Sequence, residues 1–110
     1  MRFTQDGKML VSASYDKAIK LWDMSTYQVI KTLEGHTDRI FSISINAQRK
    51  LMASGGDDKI IKIWSMETFQ EIKSLTGHEN YINNISFSHD GKLMISCSNK
   101  VIIVWDAETF

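Results

Sequence analysis

The chain repeats itself at a fixed period, and this limits its fold more than any other feature. Gly35-His36 returns as Gly77-His78, 42 residues on. Trp22 returns as Trp64 after 42 residues and as Trp105 after a further 41. A period in this range marks a modular array, in which each repeat is one supersecondary unit that buries its apolar face only against a neighbour. The register holds between these landmarks. Residues 3–8, with Asp6-Gly7, align with residues 87–92, with Asp90-Gly91, whereas residues 45–50 lack the Asp-Gly pair. Ser12, Ser54 and Ser96 fall together, as do Asp16, Asp58 and Asn99. The third copy is one residue short before Asn99, with no counterpart of Tyr15 and Asp57.

Each copy reads as β-strands. Apolar and polar residues alternate in Ile19-Lys20-Leu21 and Ile61-Lys62-Ile63, the period of a half-buried strand. Residues 40–45, 82–87 and 93–98 are short, apolar or β-branched, and bounded by turn residues. Asp6-Gly7 and Asp90-Gly91 lie between such runs and predict hairpins, because glycine accepts a positive φ. No sustained 3.6-residue period occurs, so no helix is expected. A full unit has four strands, in the middle copy 40–45, 51–54, 60–64 and 71–75. The expected division is an incomplete repeat over 1–34, a complete one over 35–76 and an incomplete one over 77–110.

Composition excludes several classes of function. Thirteen basic and thirteen acidic residues cancel, which gives no electrostatic reason to expect a nucleic acid or an acidic membrane. No apolar run approaches the roughly 20 residues of a membrane helix, and residues 1–7 lack the apolar core of a secretory signal. Cys97 is the single cysteine, so no internal disulfide forms and a reducing compartment, cytoplasm or nucleus, is expected. His36, His78, His89 and Cys97 show no metal-ligand spacing, and Ser54-Gly55-Gly56 lacks the lysine of a phosphate loop, so neither metal nor cofactor is expected.

The aligned Gly-His pairs, serines, aspartates and tryptophans, with Trp22-Asp23 and Trp105-Asp106, resemble the WD-repeat family of β-propellers over essentially the whole chain. The resemblance implies an all-β fold of antiparallel four-stranded blades, here an open arc of between two and three repeats, because a closed ring takes about 4–8 blades. It further implies a structural hydrogen-bond network through His36, Ser54, Asp58 and Trp64. The first copy would contribute Ser12, Asp16 and Trp22, its histidine falling before Met1. The third would contribute His78, Ser96, Asn99 and Trp105, weakened because asparagine carries no charge. Ser14 and Ser98, two residues further along the same strand face, compete for the serine role. An indole donates only, while a hydroxyl and an imidazole donate and accept, so the four groups can satisfy one another.

The same residues read as scaffold chemistry rather than as a hydrolase. A catalytic serine stands exposed beside an oxyanion hole, whereas a set that recurs in every repeat serves the repeat. The resemblance places Arg39, Phe41, Tyr81, Asn83, Tyr15 and Asp57 at one rim of the blades, where arginine and tyrosine are favoured anchors of protein interfaces. Lys17, Lys20, Lys59 and Lys62 read as solvated strand edges. Cys97 reads as a small packed residue. Taken together, these features predict a non-enzymatic platform for other proteins or peptides, a fragment of a larger WD-repeat protein completed by further blades or further copies. The alternatives are a substrate receptor of a ubiquitin ligase, a chromatin peptide reader, or a truncated product without a function of its own. Alone, the outer units would expose tryptophan-bearing faces and open strand edges, which favour aggregation.

Overall fold

A computed structural model describes residues 2–13 and 15–110, and among these it shows eleven strands in three antiparallel sheets. The first sheet contains β1 (Arg2–Phe3), β2 (Met9–Ala13), β3 (Ile19–Asp23) and β4 (Gln28–Leu33). The second contains β5 (Ile40–Asn46), β6 (Leu51–Gly56), β7 (Ile61–Ser65) and β8 (Glu71–Leu75). The third contains β9 (Asn84–Phe87), β10 (Leu93–Cys97) and β11 (Ile102–Asp106). Each sheet is a meander of sequential neighbours, and none closes into a barrel. None of the described residues is helical. The 41- or 42-residue period is therefore one meander, repeated.

The two Asp-Gly hairpins form as glycine chemistry dictates, with Gly7 at φ 71° and Gly91 at φ 74°. Two further left-handed positions recur where no glycine signals them. Lys17 (73°) and Lys59 (66°) turn the chain between the second and third strands of their sheets. Tyr27 (58°), Phe69 (59°) and Phe110 (29°) close the next turn, each N–H donating to the carbonyl four residues back, Asp23, Ser65 or Asp106. The repeating lysines are thus partly turn residues. Lys62 corrects the solvated-edge expectation outright. It is 9 % exposed, because β8 pairs outside β7 and its ammonium is bound by Glu71 and Ser74.

Burial follows from alternation along the middle sheet. Met52 and Trp64 point towards the first sheet and join Val11, Ile19, Leu21, Leu33, Ile40 and Ile43 in one core. Ala53, Ile61 and Ile63 point the other way and join Leu75, Ile82, Ile85 and Met94. Side chains one position apart serve opposite faces, as a strand requires. Polar groups on β5 fasten the third sheet. Ser42 Oγ accepts from the Ile85 N–H at 3.0 Å, Ser44 Oγ accepts from the Phe87 N–H at 3.3 Å, and Asn46 Nδ2 donates to the Gly91 carbonyl at 2.9 Å.

The outer faces of the array differ from each other. Ser12 and Trp22 lie on the free face of the first sheet and are half-buried. Trp105, by contrast, packs inwards against the second core. The free face of the third sheet is aliphatic, with Leu93 45 %, Ile95 42 %, Ile102 68 % and Val104 60 % exposed. A tryptophan-bearing outer face is therefore found on the first sheet only, because the network residues of every blade point in the same sense around the arc.

Gly55 leaves room for Ile82 and Ile85, while Gly56 lies against the backbone at the start of β5 in its own sheet. A Cβ on Gly56 would lie 2.0 Å from the Arg39 carbonyl oxygen and 2.8 Å from Ile40 Cα, both backbone. One on Gly55 would meet side-chain tips, Ile85 Cδ1 at 2.9 Å and Ile82 Cδ1 at 3.1 Å. Overpacking costs about 1–3 kcal/mol and more where backbone must yield. Gly56→Ala is therefore expected to lower the urea midpoint more than Gly55→Ala, and equal midpoints would contradict this packing.

Candidate functional site

Two sets of side chains stand out, one inside the second sheet and one on the rim. The inner set begins at Ser54, central on β6 and fully buried. Trp64 on β7 stands beside it and donates its indole N–H to Ser54 Oγ at 2.9 Å. His36 arrives from the segment before β5 and sets Nε2 2.6 Å from the same oxygen. Its Nδ1 lies 2.6 Å from Asp58 Oδ2, with the two side chains 1 % and 2 % exposed. A carboxylate only accepts, so Nδ1 carries the proton and Nε2 receives the serine O–H. Asp58 is itself held by the backbone N–H groups of Thr37 (3.3 Å) and Ile60 (3.2 Å). Every side-chain polar atom of Trp64, Ser54, His36 and Asp58 has a partner, and a hydroxyl bound on both sides is no exposed nucleophile.

The other two copies are partial. In the first sheet Trp22 Nε1 donates to Ser12 Oγ at 2.9 Å, and Asp16 Oδ1 accepts from the Ala18 N–H at 3.2 Å. Ser14, the competing serine, lies outside the described residues. In the third sheet Ser96, not Ser98, meets both Trp105 Nε1 (2.8 Å) and His78 Nε2 (2.6 Å). Asn99 does not join. It is exposed, and the buried His78 Nδ1 has no hydrogen-bond partner among the described residues. The cause is the missing residue. The second sheet pairs Ser54 with Lys62, whereas the third pairs Ser96 with Ile103 across a loop one residue shorter. The tight turn made by Ser98 N–H and the Val101 carbonyl carries Asn99 outwards.

The rim set joins three sheets. Tyr15 lies between β2 and β3, Phe41 on β5, and Tyr81 just before β9. The ring centroids of Tyr15 and Phe41 are 6.0 Å apart with planes at 77°, and those of Phe41 and Tyr81 are 6.0 Å apart at 83°. This is the edge-to-face geometry that aromatic quadrupoles favour. The Arg39 guanidinium sits 5.4 Å from the Tyr15 centroid and 5.7 Å from that of Phe41. Asp57 Oδ2 accepts from Arg39 Nε at 2.7 Å and Nη2 at 2.6 Å, while the Asp57 N–H donates to the Arg39 carbonyl. Such an exposed pair contributes little stability, about 0–1 kcal/mol; its effect is to hold the guanidinium over the rings. Asn83 is exposed, and no bond or ring contact among the described residues ties its side chain to this cluster.

A third cluster was not visible as a motif. Lys62 Nζ binds Glu71 Oε1 and Ser74 Oγ, and Ser74 Oγ also donates to Glu71 Oε1 at 3.0 Å. The bond from Lys62 holds the Glu71 carboxyl below its usual range. Glu71 and Ser74 differ from the first-copy residues Val29 and Thr32, and that difference was the available signal. Among the described residues, no group of histidine, cysteine and carboxylate side chains is arranged to hold a metal ion.

These bonds set an order of stabilities. Ser54→Ala strands both His36 Nε2 and the Trp64 N–H, at about 1–3 kcal/mol per buried neutral group. Ser12→Ala releases a half-buried indole that water can reach. Ser54→Ala is expected to cost at least twice as much as Ser12→Ala in chemical unfolding. A pH dependence follows as well. Burial pushes both imidazoles below the ordinary value of 6.5; at His36 the bond and charge of Asp58 oppose this without overcoming it. Above about 6.5 both folded and unfolded chains keep these groups neutral. As pH falls through 6.5 the unfolded chain binds protons that the folded chain does not, and stability declines. Thermal midpoints should therefore drop between pH 7.5 and 5.5, and a midpoint that rises would contradict the burial of neutral imidazoles.

Comparison with known proteins agrees with this geometry. The profile of the WD40 family, "WD domain, G-beta repeat", matches residues 1–23, 27–65 and 69–106. It divides the period in the turn before the outer strand, where the left-handed Tyr27 and Phe69 sit. The chain is similar to the WD repeat-containing protein pop1 of Schizosaccharomyces pombe, 41 % identical over 44 residues, 40 % of this chain and 6 % of that protein. It is 55 % identical over 31 residues to the nuclear distribution protein PAC1 of Arthroderma otae, 28 % of this chain and 7 % of that protein. It is 48 % identical over 42 residues to the Lissencephaly-1 homolog of Caenorhabditis briggsae, 38 % of this chain and 11 % of that protein. The matches thus span only small parts of these relatives. With the profile covering three successive meanders, the chain belongs to the WD40 repeat family.

Proposed function

We propose that these residues are a non-enzymatic platform for protein–protein assembly, and that the rim cluster of Tyr15, Arg39, Phe41, Asp57 and Tyr81 is its partner-binding face. The observation that carries this reading is the run of three exposed rings across three sheets. No single repeat makes such a surface, so it exists only when the array is assembled. Tyr15 is 68 % exposed, and Phe41 and Tyr81 are each 37 % exposed. Neither tyrosine is needed to fill either core. Aromatic rings held by one another lose little freedom on binding, and tyrosine and arginine are frequent interface anchors. Asn83 flanks the cluster as a polar rim residue. The family's repeats generally act as non-catalytic interaction modules, which supports the same reading. The partner is a protein or peptide in the cytoplasm or nucleus, and the 110 residues act as part of a longer array, which the small share of the relatives' length supports.

Two measurements test this. The double substitution Arg39→Ala and Tyr81→Ala is expected to cost about 2 kcal/mol or more in partner affinity, roughly 30-fold, because hot-spot residues contribute on that scale. Circular dichroism and tryptophan emission should stay unchanged. Partners retained at full affinity by the variant would refute the assignment. The intact mass of the native protein, captured by an antibody to this segment, should lie well above 12.6 kDa. A mass equal to 12.6 kDa would instead mean that the array acts alone or with further copies of itself.

A further inference from the structure

The hairpin between the first two strands of a sheet behaves differently at the two seams of the array. At the seam of the second and third sheets, the hairpin after β5 reaches across. Asn46 Nδ2 and Arg49 Nε both donate to the Gly91 carbonyl, at 2.9 Å and 3.0 Å, and Gln48 Nε2 donates to the His89 carbonyl at 2.9 Å. Arg49 Nη2 continues to Glu108 Oε1 at 2.6 Å. The fit is close, for a Cβ on Gly91 would lie 2.6 Å from Asn46 Oδ1.

At the seam of the first and second sheets, Thr4, Asp6 and Gly7 hold the places of Asn46, Gln48 and Arg49. Their bonds stay within their own hairpin. Thr4 Oγ1 donates to Asp6 Oδ1 at 2.6 Å, and the same oxygen accepts from the Lys8 N–H at 3.0 Å. Among the described residues no hydrogen bond joins residues 4–8 to the second sheet. Residue 45 adds room, since Ile45 stands where the third sheet has Phe87. A crevice of about 370 Å³ remains between the two hairpins, lined by Met9, Ile45, Ala47 and Met66, with Asp6 on one wall and Lys50 on the other. Lys50 Nζ is bound to Glu67, the counterpart of Glu108, at 2.9 Å. Both members of that pair are exposed, and such a pair yields readily to a competing cation.

We propose that this crevice receives an arginine side chain of a partner protein, which does at the first seam what Arg49 does at the second. The methylene stem covers Met9, Ile45 and Met66 while the guanidinium stays at the polar mouth, as long cationic side chains do. There it donates to the Asp6 oxygen that Thr4 and Lys8 leave unused, and it competes with Lys50 for Glu67. The Thr4 hydroxyl and the Lys8 N–H hold the Asp6 carboxyl below its usual range, so the acceptor stays charged. This site is separate from the aromatic rim. The hairpin of residues 4–8 precedes β2 and Tyr15 follows it, so the two surfaces lie at opposite ends of that strand.

Two peptides test this, acetyl-Gly-Arg-Gly amide and the same peptide with citrulline, an uncharged isostere, in place of arginine. Added to the 110-residue chain, the arginine peptide should shift the Met9 and Met66 methyl resonances saturably. It should bind about fivefold tighter than the citrulline peptide, the scale of one exposed ion pair. In Asp6→Asn that preference should vanish. Ile45→Phe, which copies Phe87, should fill the crevice and abolish binding of both peptides. The proposal is overturned if neither peptide shifts these methyl groups, if the two bind equally, or if Asp6→Asn keeps the preference. Shifts at Tyr15 and Tyr81 instead would overturn it by making the rim the site. It is overturned equally if the 110-residue chain binds and the intact native protein does not, which would make the occupant a segment of the protein itself. Asp6 is exposed and asparagine can keep its hairpin bonds, so that variant decides the matter even if Ile45→Phe does not fold.

Discussion

Everything in this structure depends on burying both faces of one sheet. β6 and β7 send Met52 and Trp64 to one side and Ala53, Ile61 and Ile63 to the other, so the middle sheet has no free face. A two-sided strand needs close neighbours on both sides, and Gly55 leaves room on one of them for Ile82 and Ile85. The outer sheets receive one core each. Their residual apolar surface is a direct consequence of a repeat that is stable only between two copies of itself.

The hydrogen-bond chain from Trp64 to Asp58 sits within that packing and solves a problem created by it. An indole N–H and an imidazole removed from water must find partners or destabilise the sheet. Ser54 serves both, and Asp58 accepts the remaining hydrogen bond, from His36 Nδ1–H, while anchoring the following turn. The third sheet shows how closely this depends on loop length. One residue fewer turns Asn99 into solvent and leaves His78 Nδ1 alone, although the serine and tryptophan remain in register. The middle blade therefore carries the complete network, and the third blade, with a partial one, is also fastened by Ser42, Ser44 and Asn46 of β5.

Much of the fold was legible in the residues because a strand's two-residue alternation and the long repeat reinforce each other. The four strands of the middle copy appear within one or two residues of their expected limits, and the tryptophan–serine–histidine–aspartate order follows from what each group can donate or accept. Other features resisted reading for physical reasons. A left-handed lysine such as Lys59 carries no local mark, because the turn is imposed by strand spacing rather than by its side chain. The outward Asn99 results from a deletion whose effect is geometric, not compositional. Lys62 resembled an edge residue because its cover, β8, is distant in the pattern, and only the pairing shows its partners.

The proposed rim surface is built from the differences between copies of one repeat. At the rim, side chains that vary between copies (Tyr15, Phe41 and Tyr81) are brought into one line by a backbone that does not vary, so recognition follows from differences laid on a constant frame. This reading rests on comparing equivalent positions. In an array of nearly identical units, a residue that departs from its copies is informative because the physics around it is already known from the copies that conform. Lys62 with Glu71 and Ser74 shows what its place on the strand requires when charged, and Ile103 shows that place without charge.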